Sequence, residues 1–446
     1  MHLQPPTRRA QHTQQPTATQ PGSAFGMPSP TTLTPLLLLL PLISTLFTTA
    51  AGQSVKRCEG DIGSPDWVCE HLTPIPVNAF GEFFPLPGSH DPANPVKFAQ
   101  IAGKPAFDEL TGERILNGTA GGTDAAAVFV LTDGSYFCML AESDGEAVLF
   151  DAPESSFTSS FGGMFPNGTW LATSMDALLS EGTKLRYIVY THRHWDHMGA
   201  AGLVAGHFAA DGPRVIASRR TRLAVKKRDA KDPTTVYGNN RGVPVPEWYQ
   251  EDVLEVGGLR FTMEKAHAHQ AGDLMVTLDK HDPENARRGI DSTIFMVTDT
   301  VFPGWAPFYS VNIAQDVSDF LEALDEINGK DFDVLVGGHL SRLGSKADVQ
   351  RAVDFFVDVV AGAEESVATV TIPGTIVGTG IADPANPNFG NTWLMFNEFF
   401  ERVVDVCEAF VLDAPARGRD WLVELAGMEL TLRSQCWTIM NWVGIA

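Results

Sequence analysis

Short apolar runs alternate with polar turns through most of the chain after residue 125. Three such runs, Ala126 to Thr132, Tyr136 to Ala141 and Glu146 to Phe150, are separated by Asp-Gly pairs at positions 133–134 and 144–145. Asp-Gly favours tight hairpin turns because both residues tolerate a positive φ. The pattern therefore predicts three strands joined by hairpins.

Apolar residues with a helical period are interleaved with further strand-like runs in the middle of the chain. Helices are predicted at Met175 to Ser180, Met198 to Ala210, Ser218 to Ala230, Asp316 to Ile327 and Lys346 to Val360. Strands are predicted at Leu185 to Tyr190, Val215 to Ala217, Val253 to Glu264, Leu274 to Leu278, Thr293 to Thr298 and Phe332 to Val336. Together they predict an α+β fold for residues 121–360, an αββα sandwich with two facing sheets and helices outside.

The first 52 residues differ from this body, since they contain no Asp or Glu and include the apolar run Leu36 to Phe47 followed by small residues up to Gly52. This pattern predicts a signal peptide over residues 1–52 and a secreted protein. A membrane span needs about 20 apolar residues, so no stable membrane insertion is expected. An uncleaved N-terminal segment that anchors the protein to a membrane is the alternative.

Two further segments flank the predicted sandwich. Residues 53–120 contain many Pro and Gly residues and predict an irregular N-terminal extension. Residues 361–446 predict a C-terminal helical region, with a linker at Pro373 to Gly390 and helices at Trp393 to Val411 and Trp421 to Trp442. These helices either cap the active site or support a dimer, or they cover the outer face of the sandwich. The sequence predicts no particular oligomeric state.

Cysteine usage agrees with export. Either Cys58 and Cys69 or Cys407 and Cys436 could form a disulfide in an oxidising compartment. Cys138 lies within a predicted strand, which indicates a buried thiol. The odd total of five leaves at least one cysteine without a partner in the chain.

The charge of the chain limits its partners. The predicted signal peptide, residues 1–52, holds two of the 32 basic residues and none of the 54 acidic ones, so its removal changes the net charge from −22 to −24. Such a charge repels polyanions, which argues against nucleic acid and favours a small-molecule substrate. The basic cluster at Arg219 to Arg228 is either a solvated helix face, which we favour, or a docking patch for an anionic substrate.

The hexapeptide from His192 to His197 places three imidazoles and a carboxylate directly after the predicted strand Leu185 to Tyr190. Imidazole and carboxylate are the ligands that suit zinc and similar divalent ions. His192 and His194 are two residues apart in an extended segment and can face one ion together. Asp196 and His197 follow in the next turn and can face a second ion.

Three other predicted strands end in side chains of the same kind. The run Phe261 to Ala266 leads into His267 and His269, the run Thr293 to Thr298 leads into Asp299, and the run Asp333 to Gly338 leads into His339. Four strand ends therefore carry potential metal ligands, which predicts a shared metal site at one edge of the sandwich.

This constellation resembles the metallo-β-lactamase fold superfamily, in particular its glyoxalase II-like and lactonase-like hydrolases with a His-x-His-x-Asp-His signature. The resemblance implies two divalent ions, most simply Zn²⁺, and support of the metal loop by Asp151. It implies that one ion is held by His192, His194 and His269, that the other is held by Asp196, His197 and His339, and that Asp299 bridges them. It also favours His269 over His267. None of the five cysteines lies near Asp299, which argues against an antibiotic β-lactamase of the subclass with Cys at that position.

Two such ions about 3.5 to 4 Å apart can lower the pKa of a shared water and polarise a carbonyl oxygen. We therefore predict a metal-dependent hydrolase in which a bridging hydroxide attacks a small ester, lactone or related carbonyl compound. Asp196 would also orient the nucleophile and move its proton. The alternatives are a metal-dependent oxygenase or oxidoreductase on the same fold, and a non-catalytic protein that keeps its metals for stability.

Overall fold

The protein is described by a computed structural model that covers residues 84–85, 97–106, 125–133, 136–153, 169–229, 243–339, 342–413 and 418–444. The predicted signal peptide and the Cys58–Cys69 pair lie outside these residues. All described residues belong to one unit, Val55–Ala446.

Thirteen described strands form two sheets. The first sheet has the order β1 to β8, and the second has the order β13, β12, β11, β10, β9. The strands of the first sheet are β1 Phe84–Pro85, β2 Lys97–Gly103, β3 Ala126–Thr132, β4 Phe137–Ser143, β5 Glu146–Phe150, β6 Lys184–Tyr190, β7 Arg214–Ala217 and β8 Glu247–Trp248. Those of the second are β9 Val253–Val256, β10 Leu259–Ala266, β11 Asp273–Leu278, β12 Ile294–Met296 and β13 Val334–Val336.

Helices cover the outer faces of both sheets. The described α-helices are α1 Thr169–Leu178, α2 Ala201–His207, α3 Arg219–Asp229, α4 Pro283–Arg287, α5 Val317–Gly329, α6 Lys346–Thr369, α7 Ile372–Thr379, α8 Thr392–Leu412, α9 Trp421–Glu424 and α10 Met428–Val443. A 3₁₀ turn spans Trp195–His197, and a left-handed turn spans Tyr309–Ile313. Where the structure describes the chain, no helix is both long enough and apolar enough to cross a membrane.

Three apolar cores define the layers. One lies between the sheets and contains Phe137, Phe150 and Phe261. A second joins the outer face of the first sheet to helices α1, α2 and α3. The third joins the outer face of the second sheet to α5, α6, α8 and α10. This is the αββα sandwich predicted from the sequence, and each sheet is apolar on both faces because each is covered twice.

The hairpin between β4 and β5 illustrates how closely local sequence determines some elements. Asp144 and Gly145 both have positive φ, 49° and 71°. These values match the Asp-Gly turn that was predicted. The strands β3 and β5 also have the predicted bounds.

Three segments differ from the prediction. The predicted irregular extension contains β2, which pairs with β3 and buries Phe98 and Ala99. The single strand predicted at Val253 to Glu264 is a hairpin that turns at Gly257 and Gly258. The predicted linker Pro373 to Gly390 contains most of α7, which Thr371 caps by accepting a hydrogen bond from the Gly374 N–H.

The C-terminal helices extend the outer layer of the second sheet. Helices α8 and α10 pack on α6, and a disulfide joins Cys407 to Cys436. The predicted helix Trp421 to Trp442 is interrupted at Gly427, which has a φ of 74° and separates α9 from α10. Cys138 is buried and has a free thiol, as predicted.

The turn at Gly257 generates a stability prediction. A Cβ added there would lie 1.9 Å from the carbonyl oxygen of Ser143, whereas a Cβ added at Gly145 would meet nothing within 4 Å. Both residues have positive φ, so Gly145→Ala should reduce the free energy of unfolding by about 1–2 kcal/mol through backbone strain alone. Gly257→Ala should reduce it by about 1–3 kcal/mol more because the backbone must also move. Urea denaturation of the two variants measures the difference, and equal losses would contradict this account.

Candidate metal centre

The seven predicted ligands come together at one edge of the sandwich. Two overlapping groups of donor atoms form there, and within each group the atoms lie within 4.8 Å of one another. The first group is His192, His194, His269 and Asp299. The second group is Asp196, His197, Asp299 and His339. Asp299 belongs to both, which is the position that the resemblance implied.

Parallel strand ends explain how the chain reaches this arrangement. The loop from His192 to His197 leaves β6, which runs parallel to β5 in the first sheet. Asp299 and His339 follow β12 and β13, which run parallel to each other in the second sheet. The carboxyl ends of parallel neighbours meet at one edge of a sheet, so residues far apart in sequence become neighbours there.

Imidazole nitrogens approach each other closely in both groups. His269 Nε2 lies 2.9 Å from His194 Nδ1, and His197 Nε2 lies 3.0 Å from His339 Nε2. Asp299 Oδ1 lies 3.1 Å from His197 Nε2 and 2.9 Å from His339 Nε2. Its other oxygen, Oδ2, lies 3.3 Å from His192 Nε2. Donors that converge in this way fit a divalent cation, since ligands of one zinc ion at about 2.0–2.2 Å are themselves about 3 Å apart.

Orphaned buried atoms support the same fit. His192 Nε2 and Asp299 Oδ1 are buried and have no partner with hydrogen-bond geometry. His192 Nε2 lies within ion-pair distance of Asp299 Oδ2, and Asp299 Oδ1 lies within ion-pair distance of His197 Nε2. A buried polar atom without a hydrogen bond is costly. A cation bound among these atoms would satisfy them. The donor set therefore fits divalent metal ions.

Asp151 supports the metal loop. Its carboxylate accepts hydrogen bonds from the Thr191 N–H and hydroxyl, both at 2.8 Å, and from the Thr298 hydroxyl at 3.2 Å. It also lies 3.7 Å from His197 Nδ1. Asp151 and Asp299 both have positive φ, 61° and 63°, a conformation that costs free energy and is concentrated at functional sites. The supporting role implied by the resemblance therefore has a geometric basis.

Asp273 is a supporting residue that the sequence analysis did not assign. Its Oδ2 accepts hydrogen bonds from the backbone N–H groups of His269 and Gln270, at 2.8 and 2.7 Å, and fixes the loop that carries His269. Burial raises the pKa of Asp273 to about 7. An Asp that follows a predicted ligand by four residues, at the start of a strand, is a signal that could have identified this turn.

Gly338 and Tyr136 shape the second group. A Cβ at Gly338 would lie 2.5 Å from Thr298 Cγ2 and 3.3 Å from His197 Cε1, so a side chain there would displace its neighbours in the centre. The ring of Tyr136 packs edge-on against His197 and His339. His267, the alternative ligand, is exposed and belongs to neither group.

Burial and neighbouring charges shift the pKa values of the histidines in opposite directions. Burial lowers the pKa of His194 to about 2 and that of His269 to about 4, and the neighbouring His192 adds to both effects. Burial also opposes a charge on His197, but Asp299 and Asp196 outweigh it and raise the pKa to about 10.

Asp299 has a lowered pKa because of the neighbouring histidines. Its burial favours the neutral acid, yet His197 and His339 hold its pKa well below the usual value. The contact with Asp299 in turn raises the pKa of His192 against the effect of burial. Without metal, therefore, a proton on His197 balances the buried carboxylate.

Comparison with known proteins agrees with this geometry. A model of the metallo-beta-lactamase superfamily matches residues 131–282, a segment that includes five of the seven predicted ligands but not Asp299 or His339. Residues 131–282 are thus similar to the metallo-beta-lactamase superfamily, which confirms the resemblance seen in the sequence. Members of this superfamily are mostly hydrolases. No curated protein matches the chain.

Solved structures show weaker likeness. A metallo-beta-lactamase from Cronobacter sakazakii with a HARLDQ motif is 17% identical and covers 51% of this chain and 87% of its own, with a TM-score of 0.35. A beta-lactamase domain protein from Burkholderia ambifaria is 12% identical and covers 83% of this chain and 92% of its own, with a TM-score of 0.44. The fold assignment rests on the strand order and the family model rather than on these likenesses.

Proton balance predicts how metal binding depends on pH. The folded protein without metal holds a proton on His197 up to a pKa of about 10, and this proton must leave before Nε2 can bind an ion. Metal affinity should therefore rise by about tenfold per pH unit between pH 6 and 9. Calorimetric titration with Zn²⁺ in buffers of different ionisation enthalpy measures the released proton. His207→Ala, outside both groups, is the control. An affinity that does not change with pH would contradict the assignment.

Proposed function

We propose that the protein is a metal-dependent hydrolase that cleaves a small ester, lactone or related carbonyl compound. The observation that carries the proposal is the pair of four-residue donor groups that share the buried carboxylate of Asp299. His192, His194 and His269 would hold one ion, Asp196, His197 and His339 would hold the other, and Asp299 would bind both. We propose Zn²⁺ for both positions because imidazole and carboxylate are its ordinary ligands.

Two divalent ions in such a site supply a nucleophile from water at neutral pH and polarise the substrate oxygen. The residues of this chain perform the remaining tasks. Asp196 is 30% exposed, the more exposed of the two carboxylates in these groups, so its side chain can reach solvent. It is therefore placed to accept the proton of the attacking water and to donate it to the leaving alkoxide. Asp299, in contrast, is 7% exposed and fixes the spacing of the donors.

Charge supports a small substrate over a nucleic acid. The chain after residue 52 has a net charge of −24, since its first 52 residues carry two positive charges and no negative ones. Nucleic-acid binding depends on Lys and Arg contacts to phosphates, and a strongly negative protein opposes the approach of a polyanion. A neutral ester or lactone meets no such barrier.

We also propose that the protein is secreted. The acid-free leader with its apolar run from Leu36 to Phe47 supports cleavage near residue 52. The Cys407–Cys436 disulfide supports an oxidising compartment.

The substitution Asp196→Asn tests the proposed proton transfer. The amide keeps the volume of the side chain but cannot accept the proton, so kcat/KM for the best ester or lactone should fall by about 10²- to 10⁴-fold. Asp176→Asn, which changes an exposed carboxylate outside the site, is the matched control and should leave the rate unchanged. Metal analysis and circular dichroism of both variants separate loss of catalysis from loss of metal or fold.

The same Zn²⁺-loaded protein should be incubated with single-stranded RNA and DNA beside the ester and lactone panel. Turnover of esters or lactones without strand cleavage is expected. Efficient strand cleavage with inert esters would show that the substrate assignment is wrong. Near-normal turnover by Asp196→Asn would remove this residue from the mechanism.

Export is tested by mass spectrometry of the protein from its native source. The expected mass lacks about 50 N-terminal residues, as signal cleavage removes them, and it includes a disulfide. Thiol alkylation before and after reduction should identify the peptides of Cys407 and Cys436. An intact N-terminus together with five free thiols would contradict the proposal.

A further inference from the structure

A left-handed turn lies between the predicted bridging ligand and helix α5. Ser310, Val311, Asn312 and Ile313 all have φ between 53° and 57°. Four consecutive residues without glycine rarely adopt this conformation, and each costs about 1–2 kcal/mol relative to right-handed backbone. Val311 and Ile313 are β-branched, which makes the conformation still less favourable. Such a turn persists only when its surroundings hold it.

Helix α10 holds the turn with a buried glutamine. Gln435 Oε1 accepts a hydrogen bond from the Val311 N–H at 2.7 Å, and its Nε2 donates to the carbonyl oxygens of Pro307 and Phe308 at 2.8 and 2.7 Å. Gln435 is fully buried. Its amide thus uses both ends to fix the backbone that enters the turn.

The turn is also hydrogen-bonded to two residues that are chain neighbours of predicted metal ligands. Asn312 Nδ2 donates to the carbonyl oxygen of Thr300, the residue after Asp299, at 3.1 Å. Gln270, the residue after His269, donates to the carbonyl oxygen of Ile313 at 3.3 Å. The turn therefore borders the group of donors formed by His192, His194, His269 and Asp299.

Apolar side chains of this segment remain exposed. Phe308, Tyr309 and Ile313 have 49%, 46% and 53% of their surface exposed. Exposed apolar residues on a rigid, strained segment next to a reactive centre are typical of substrate contacts.

We propose that the turn is a substrate-selecting wall, and that Tyr309 and Ile313 contact an unbranched aliphatic chain attached to the reacting carbonyl. The proposal deepens the proposed function and rests on it for the identity of the reaction. The contact itself is a matter of binding, so it can be tested without turnover. Gln435 acts as a positioning residue that holds the wall in place.

The probe is a series of linear monocarboxylates from acetate to octanoate, titrated into Zn²⁺-loaded protein by calorimetry. Their carboxylates share the charge of an ester's hydrolysis product, and only the chain length varies. If the chain packs on the wall, each added methylene should tighten Kd by about three- to fourfold until the wall is covered.

Ile313→Asn removes the apolar side chain with little risk to the fold, because Asn tolerates positive φ better than Ile does. In this variant the gain per methylene should fall markedly while the Kd of acetate stays the same. Tyr309→Ser is the second variant and should act in the same direction. Val377→Ser is the control, since Val377 is 82% exposed on α7, which packs on α8.

The outcomes separate this proposal from the hydrolase proposal. A Kd that does not depend on chain length in the wild-type protein, or a dependence that survives in both Ile313→Asn and Tyr309→Ser, would overturn the wall. Chain-length dependence that is lost in these variants, together with inert esters and lactones, would support the wall and reject the hydrolase. Turnover of esters at rates that do not depend on chain length, together with a Kd that does not depend on chain length, would support the hydrolase and reject the wall.

Discussion

The buried carboxylate of Asp299 is the constraint on which the rest of the site depends. It lies among histidines from three separate segments and keeps its negative charge only because their protons, or a cation, balance it. An unbalanced charge at this depth would cost several kcal/mol. The convergence of strand ends from both sheets, the hydrogen bonds of Asp151 and the close approach at Gly338 all serve to bring enough positive charge or metal to this one group.

Much of this arrangement follows from local sequence. The run from His192 to His197 combines an extended exit from strand β6 with a tight turn, and both leave a clear pattern in six residues. Asp299 and His339 were predictable because each lies shortly after a short apolar strand, β12 or β13. Similarly, Asp144 and Gly145 mark a hairpin by their conformational tolerance alone. The αββα architecture follows from the order in which such strands and helices alternate.

One missed feature had a local signal. Gly257-Gly258 separates two strand-like runs between Val253 and Glu264, and Gly-Gly favours a hairpin turn. Other features had no such signal. Strand β2 was hidden in a Pro- and Gly-containing region because its pairing partner β3 supplies the stabilisation. The left-handed turn is the extreme case. The β-branched residues Val311 and Ile313 disfavour its positive φ values. It forms because Gln435, 124 residues along the chain from Val311, accepts a hydrogen bond from the Val311 N–H.

Gln435 is followed directly by Cys436, so the residue that fixes the turn and the residue that cross-links the helix are chain neighbours. The disulfide joins residues 29 positions apart and limits how far α10 can separate from α8 in any partly unfolded state. A helix tethered in this way re-docks from a short distance, and the glutamine amide returns to the same backbone groups. The covalent bond thus raises the effective concentration of one side-chain amide near the backbone groups that it binds, and it keeps a locally unfavourable backbone conformation populated.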